Sequence, residues 1–139
     1  MVVHMTPREQ LVRSLLLAIT DQAPVETIAG FWHAEAEQVE LPSLMRPLGH
    51  RRPLAEMLEG YGAGQDLLAL QTYEVLTVTE GDDRLAAQLR WTATTAVAAG
   101  PLPAGSELVA HVAVFYEFRD GLIARQTSYD CYEPLPTDA

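Results

Sequence analysis

A single cysteine, Cys131, among 139 residues leaves no internal disulfide and no thiolate zinc site, which fits a reducing compartment and an expected cytoplasmic location. Positive charge is also scarce. Nine Lys and Arg face 19 Asp and Glu, a formal charge of −10, and the cations form no run or stripe. A polyanion would be repelled and counterion release has no source, so neither nucleic acid nor an anionic membrane is an expected partner. No apolar run approaches the roughly 20 residues that span a bilayer, and Met1 to Met5 is too short for a signal-sequence core. The histidines His4, His33, His50 and His111 include no pair at the helical spacing of a metal site, so no metal is expected. Gly60, Gly62 and Gly64 follow a helical stretch, the reverse of the strand-to-helix order of a dinucleotide loop, so no nucleotide cofactor is expected either. None of Ser14, Ser43, Ser106 and Ser128 sits in a Gly-x-Ser-x-Gly elbow.

What the chain does have is apolar content. At 48% hydrophobic residues it can bury one core and no second one, so residues 1–139 are expected to form one domain with its core at about 7–134 and short flexible ends. Thr6-Pro7-Arg8-Glu9 reads as a capping box with proline at the first helical position. Leu11, Val12, Leu15, Leu16 and Ile19 then recur at helical spacing, and Thr20-Asp21-Gln22 ends the run. A second helix is expected from Pro24, burying Ile28, Phe31 and Trp32, followed after Ala34 by a short extended segment around Val39 and Leu41 and a loop with Pro42 and Pro47. Pro53 opens a third helix with Leu54, Met57, Leu58 and Tyr61 on one face, and Gly60, Gly62 and Gly64 loosen its end.

The period then changes. Leu68 to Glu80, Arg84 to Val97, Glu107 to Phe118 and Leu122 to Tyr132 alternate imperfectly and are separated by turn signals, the last of them Asp120-Gly121. Three helices followed by four antiparallel strands predict an α+β fold in which a curved sheet wraps the helices.

The order of elements, the string Arg90-Trp91-Thr92-Ala93-Thr94, the Pro103-Ala104-Gly105 turn and the hairpin Phe118-Arg119-Asp120-Gly121-Leu122-Ile123 resemble the SnoaL-like branch of the nuclear transport factor 2-like superfamily. The resemblance covers Pro7 to Pro134 and implies a cone-shaped α+β barrel with a blind apolar pocket, paired as a homodimer through the outer sheet face. Members include polyketide cyclases, ketosteroid isomerases, limonene epoxide hydrolases and dehydratases, besides proteins that only bind ligands or partners. Ketosteroid isomerase would need its base at Leu41, its acid near Val114 and its tyrosine near Leu15 or Leu16, and all three groups are missing. Limonene epoxide hydrolase is matched at Arg90 and Asp130, but Thr92 replaces its partner carboxylate. The cyclases use one aspartate on the last strand, and Asp130 matches it.

Strand parity extends the site. If Asp130 points inward, so do Gln126, Ser128 and Tyr132, and on the neighbouring strands Gln88, Arg90 and Thr92 with Val112, Val114 and Tyr116. Trp32, Leu41 and Tyr61 complete the expected lining, while Trp91, on the other parity, is expected in the core or on a dimer surface. The function expected is binding of a small, largely apolar organic molecule, with cofactor-independent acid–base chemistry of the cyclase, isomerase, dehydratase or hydrolase kind. Asp130 would be the base, and Arg90 and Tyr132 its electrostatic partners. Two alternatives stay open: Asp130 pairs with Arg90 or Arg125 as a structural bridge, and the domain binds ligands or partners without catalysis.

Overall fold

A computed structural model describes residues 4–135. Its elements run α1 Pro7–Thr20, α2 Val25–Ala29, β1 Trp32–Glu40, β2 His50–Pro53, α3 Leu54–Leu67, β3 Leu68–Glu80, β4 Arg84–Thr95, β5 Glu107–Arg119 and β6 Leu122–Tyr132. This is the expected α+β cone: one six-stranded sheet in the order β2-β1-β6-β5-β4-β3 curls around the helices.

Helix α1 starts as its sequence demands, with the Thr6 hydroxyl accepting the Glu9 N–H at 3.2 Å. The capping box is only half formed, because the Glu9 carboxylate turns forward to Arg13 at 2.9 Å. Replacing Thr6 with Ala is therefore expected to lower stability by about 1 kcal/mol, measured by urea unfolding, through the lost cap. The hairpin between β5 and β6 also follows its signal: Asp120 and Gly121 adopt φ of 53° and 77°, the left-handed pair of a type I′ turn.

Two expectations need correction. Helix α2 stops at Ala29, so Phe31 and Trp32 lie outside it and Trp32 opens β1. The sheet is mixed, since β1 pairs antiparallel with β2 but parallel with β6. Trp32-His33-Ala34-Glu35-Ala36-Glu37-Gln38 is rich in residues that also suit helices, and its strand state comes from pairing with β6, a tertiary contact that overrides local preference. Helix α3, in turn, continues through its three glycines to Leu67.

The core lies at the closed end of the cone. Val12 and Leu15 of α1, Leu85 of β4, Tyr116 of β5 and Ile123 of β6 are all at most 2% exposed. Among the described residues no helix is long and apolar enough to cross a membrane.

Candidate functional site

Between the helices and the concave sheet face lies a cavity of about 370 Å³. The ladder fixes which side chains reach it. Val112 pairs with Leu89 on one side and Asp130 on the other, and Ala110 pairs likewise with Trp91 and Tyr132. All six line the cavity. From the expected set, Asp130, Tyr132, Ser128, Gln126, Val112, Val114, Tyr116, Trp32 and Tyr61 are brought together on its wall.

The β4 residues were expected on that wall and are not there. Gln88, Arg90 and Thr92 project to the outer face: Gln88 accepts from Thr77 at 2.8 Å, Thr92 meets Thr72, and Arg90 is exposed between its cross-strand neighbours Glu74 and His111. Arg90 therefore cannot steady a ligand inside the cavity. The physical reason is plain in β4 itself, where Leu85, Ala87, Leu89, Trp91 and Ala93 alternate with the polar Gln88, Arg90 and Thr92, so the apolar set takes the inner face. Trp91, expected in the core or on a dimer surface, lines the cavity instead. Its indole N–H donates to Gln71 at 3.0 Å, and its ring meets Tyr132 edge-on at 6.2 Å. Leu41 is outside the lining as well: its backbone N–H donates to the Ser128 carbonyl at 3.0 Å and extends the β1–β6 pairing, so alternation after the inward Gln38 and Glu40 turns its side chain away.

Further polar residues complete the wall: Gln38 and Glu40 from β1, Arg46 from the β1–β2 connection, Arg52 from β2, and Gln71 and Tyr73 from β3; of Glu37 and Glu40, which the sequence leaves between a solvated edge and the pocket, only Glu40 lines it. The register of β1 against β6 is what fixes the inward direction of Gln38 and Glu40. Arg52 donates to Gln38 at 2.7 Å and to Glu40 at 3.4 Å, and Arg46 approaches Glu40 at 3.8 Å. The cations of the cavity thus gather on Glu40.

Asp130 has no such support. Among the described residues it forms no ion pair, and Arg125, one of its expected partners, approaches Glu117 instead at 3.8 Å. Burial, and then the charge of Glu40, raise the Asp130 pKa from 3.8 to about 6, with the Ser128 hydroxyl pulling the other way. Burial and then the Asp130 charge push Tyr132 up to about 12, and the same two causes raise Tyr73. Burial lowers the Arg52 pKa, opposed by Glu40. Tyr61 is committed elsewhere: its hydroxyl donates to the Ala23 carbonyl at 2.6 Å and accepts from Gln65 at 2.7 Å.

The sequence pattern of the SnoaL-like domain family matches residues 12–126, most of the chain. The protein belongs to that family. Solved structures of similar shape include AclR from Streptomyces galilaeus, a candidate hydroxylase, at 19% identity and TM-score 0.74, covering 91% of this chain and 76% of that one. IdmH from Streptomyces antibioticus, a candidate polyketide cyclase, is similar at 18% identity and TM-score 0.73, covering 88% of this SnoaL-like chain and 91% of its own. A SnoaL-like polyketide cyclase from Agrobacterium tumefaciens matches at 19% identity and TM-score 0.65, over 93% of both chains. At such identities the likeness is one of fold. No curated protein shows significant similarity to this SnoaL-like sequence.

Proposed function

We propose that this SnoaL-like protein binds a small, largely apolar, enolisable carbonyl compound and catalyses cofactor-independent proton transfer on it, with Asp130 as the base. The observation that carries this reading is an Asp130 carboxyl facing a mainly apolar cavity with no cation paired to it. A carboxylate so placed keeps its basicity where a salt-bridged one would lose it. Asp130 takes a proton from the carbon beside the ligand carbonyl: the C–H bond breaks, an O–H bond forms on Asp130, and the electron pair moves to the carbonyl oxygen. Tyr132, kept neutral by its raised pKa, donates its O–H to that oxygen, and Arg46 at the rim supplies the positive charge that Arg90 does not. The chain contains no lysine, so carbonyl activation through a lysine Schiff base is not open to it. The enolate can then be reprotonated elsewhere, close a ring onto a second carbonyl or expel a β-hydroxyl. Exposed Phe115 and Tyr129, 6.0 Å apart on the outer face, suit a homodimer through that face.

The test is hydrogen–deuterium exchange into 2-tetralone, an apolar bicyclic ketone, followed by NMR in D2O. The wild type is expected to accelerate exchange, with a rate that rises with pH through about 6, as Asp130 ionises, and then levels. A ketone that binds without Asp130-dependent exchange would replace catalysis with ligand carriage.

Binding of the same ketone distinguishes the two faces of β4. Trp91→Ala removes a cavity aromatic and is expected to weaken affinity by about tenfold. Arg90→Gln, on the outer face, is expected to leave it unchanged by calorimetry.

A further inference from the structure

The two carboxyls of the cavity are neighbours by construction but are treated very differently. Parallel pairing sets Glu40 opposite Ser128, so Asp130, the next residue on the same face of β6, lies diagonally from Glu40. Neither of the guanidiniums that line the cavity pairs with Asp130, and both approach Glu40. Its Oε1 faces Arg52 at 3.4 Å and its Oε2 faces Arg46 at 3.8 Å.

Each arginine is itself fixed. Arg52, with a side chain only 13% exposed, is held by Gln38 at 2.7 Å and lies across the flank of α3 at Gly60. A Cβ on Gly60 would come within 2.7 Å of the Arg52 guanidinium. A mid-helix glycine costs about 1 kcal/mol relative to alanine, and here that loss makes room for a charged side chain. Arg46 is delivered by a tight turn: its backbone and that of Ser43 exchange hydrogen bonds of 2.9 and 3.2 Å, and its carbonyl accepts from Gly49 at 2.8 Å. Its guanidinium donates to His50 Nδ1 at 2.9 Å, which leaves His50 Nε2 to donate to Glu56 at 2.9 Å. Two guanidiniums, one from β2 and one from the β1–β2 turn, thus converge on one carboxylate, and Gln38 and His50 hold them in turn.

We propose that Glu40 is a positioning residue whose carboxylate, paired with Arg52 beside the glycine-cleared flank of α3, is a negative charge that adds to burial in making Asp130 the proton carrier of the cavity. The catalytic meaning rests on the reading of Asp130 as base; the electrostatic coupling does not. The charged and titratable groups around Asp130 are Glu40 from β1, Arg46 from the turn with His50 behind it, Arg52 from β2, Tyr61 from α3, Tyr73 from β3, Tyr116 from β5 and Tyr132 from β6. The four tyrosines stay protonated across the range in which Asp130 titrates, since burial raises each of them.

Variants on the two sides of the pair should move Asp130 in opposite directions. Glu40→Gln removes a negative charge, and the Asp130 midpoint, followed by carbon-detected NMR, is expected to fall by roughly 0.5–1 pH unit. Arg52→Gln removes the compensating cation, and the midpoint is expected to rise. Gly60→Ala displaces Arg52 with the gentlest change to the fold, and should raise the midpoint by less. The pH profile of 2-tetralone exchange should shift with the midpoint in each variant, a response that a purely structural Glu40 would not produce. An Asp130 midpoint unmoved in Glu40→Gln, or moved the same way by Glu40→Gln and Arg52→Gln, overturns the proposal. Exchange absent from the wild type would count against the base assignment, while the opposed midpoint shifts would still decide the role of Glu40.

Discussion

Replacing Asp130 with Asn is expected to stabilise the protein at pH 8 while removing its proton-transfer activity. The folded-state pKa of Asp130 is raised from 3.8 to about 6, so the folded protein binds this proton more tightly than the unfolded chain does. Linkage then lowers stability as pH rises: no penalty exists below about pH 4, it builds between the two values, and it is complete above about pH 6. Such a displacement corresponds to about 3 kcal/mol at full strength, and solvent screening of a partly exposed group reduces it to about 1–2 kcal/mol. Asparagine carries no such penalty. The variant should therefore melt several degrees higher than wild type at pH 8 and at the same temperature near pH 4. Exchange into 2-tetralone should fall by about 10²–10⁴-fold, the usual contribution of a positioned base. Thermal melts at pH 4, 6 and 8 beside the exchange assay check both halves. A variant less stable than wild type at pH 8 would mean that the carboxylate is a structural anchor.

The second large effect is on folding. Ile123 is fully buried, lies opposite Trp32 across the parallel β1–β6 junction, and donates its N–H to the Phe31 carbonyl at 3.1 Å. Its side chain joins the cluster that contains Leu15, Leu85 and Tyr116, so truncation removes contacts to both helix and sheet. Ile123→Ala is expected to lower stability by about 2–5 kcal/mol in urea unfolding, from lost transfer energy and the cavity left behind. That is a large fraction of the 5–15 kcal/mol typical of a domain. A loss below about 1 kcal/mol would mean that the closed end of the cone is not packed as described.

Much of this architecture is written locally. The Thr6 cap, the 3.6-residue period of α1 and the Asp120-Gly121 turn each determine their own conformation, and all three form where the chain predicts them. Strands β3 to β6 are legible for the same reason, as alternation between turn signals. The parallel β1–β6 contact is not, because it joins segments far apart in sequence and leaves no period-specific mark on Trp32 to Glu40. Without that register the sequence leaves Glu40 between a solvated edge and the pocket, and gives no reason for Arg46 and Arg52. Asp130 stands out by its match to the cyclases' aspartate on the last strand, and parity only carries its direction over to Gln126, Ser128 and Tyr132. The orientation of β4 is also legible, in its apolar odd positions, whereas the registration carried over from Asp130 puts Arg90 on the wrong face. A charged residue's chemistry is a poorer guide to its direction than the burial of its neighbours. Gly60 shows the limit from the other side, since its spacing suggests a frayed helix end and only the position of Arg52 explains it.

The central claim concerns the protonation of one carboxyl, and carbon-detected NMR titration of Asp130 in the wild-type protein measures it directly. A midpoint near 6 that moves upward when 2-tetralone fills the cavity is the predicted result. A midpoint at or below 3.8, indifferent to the ketone, would contradict it.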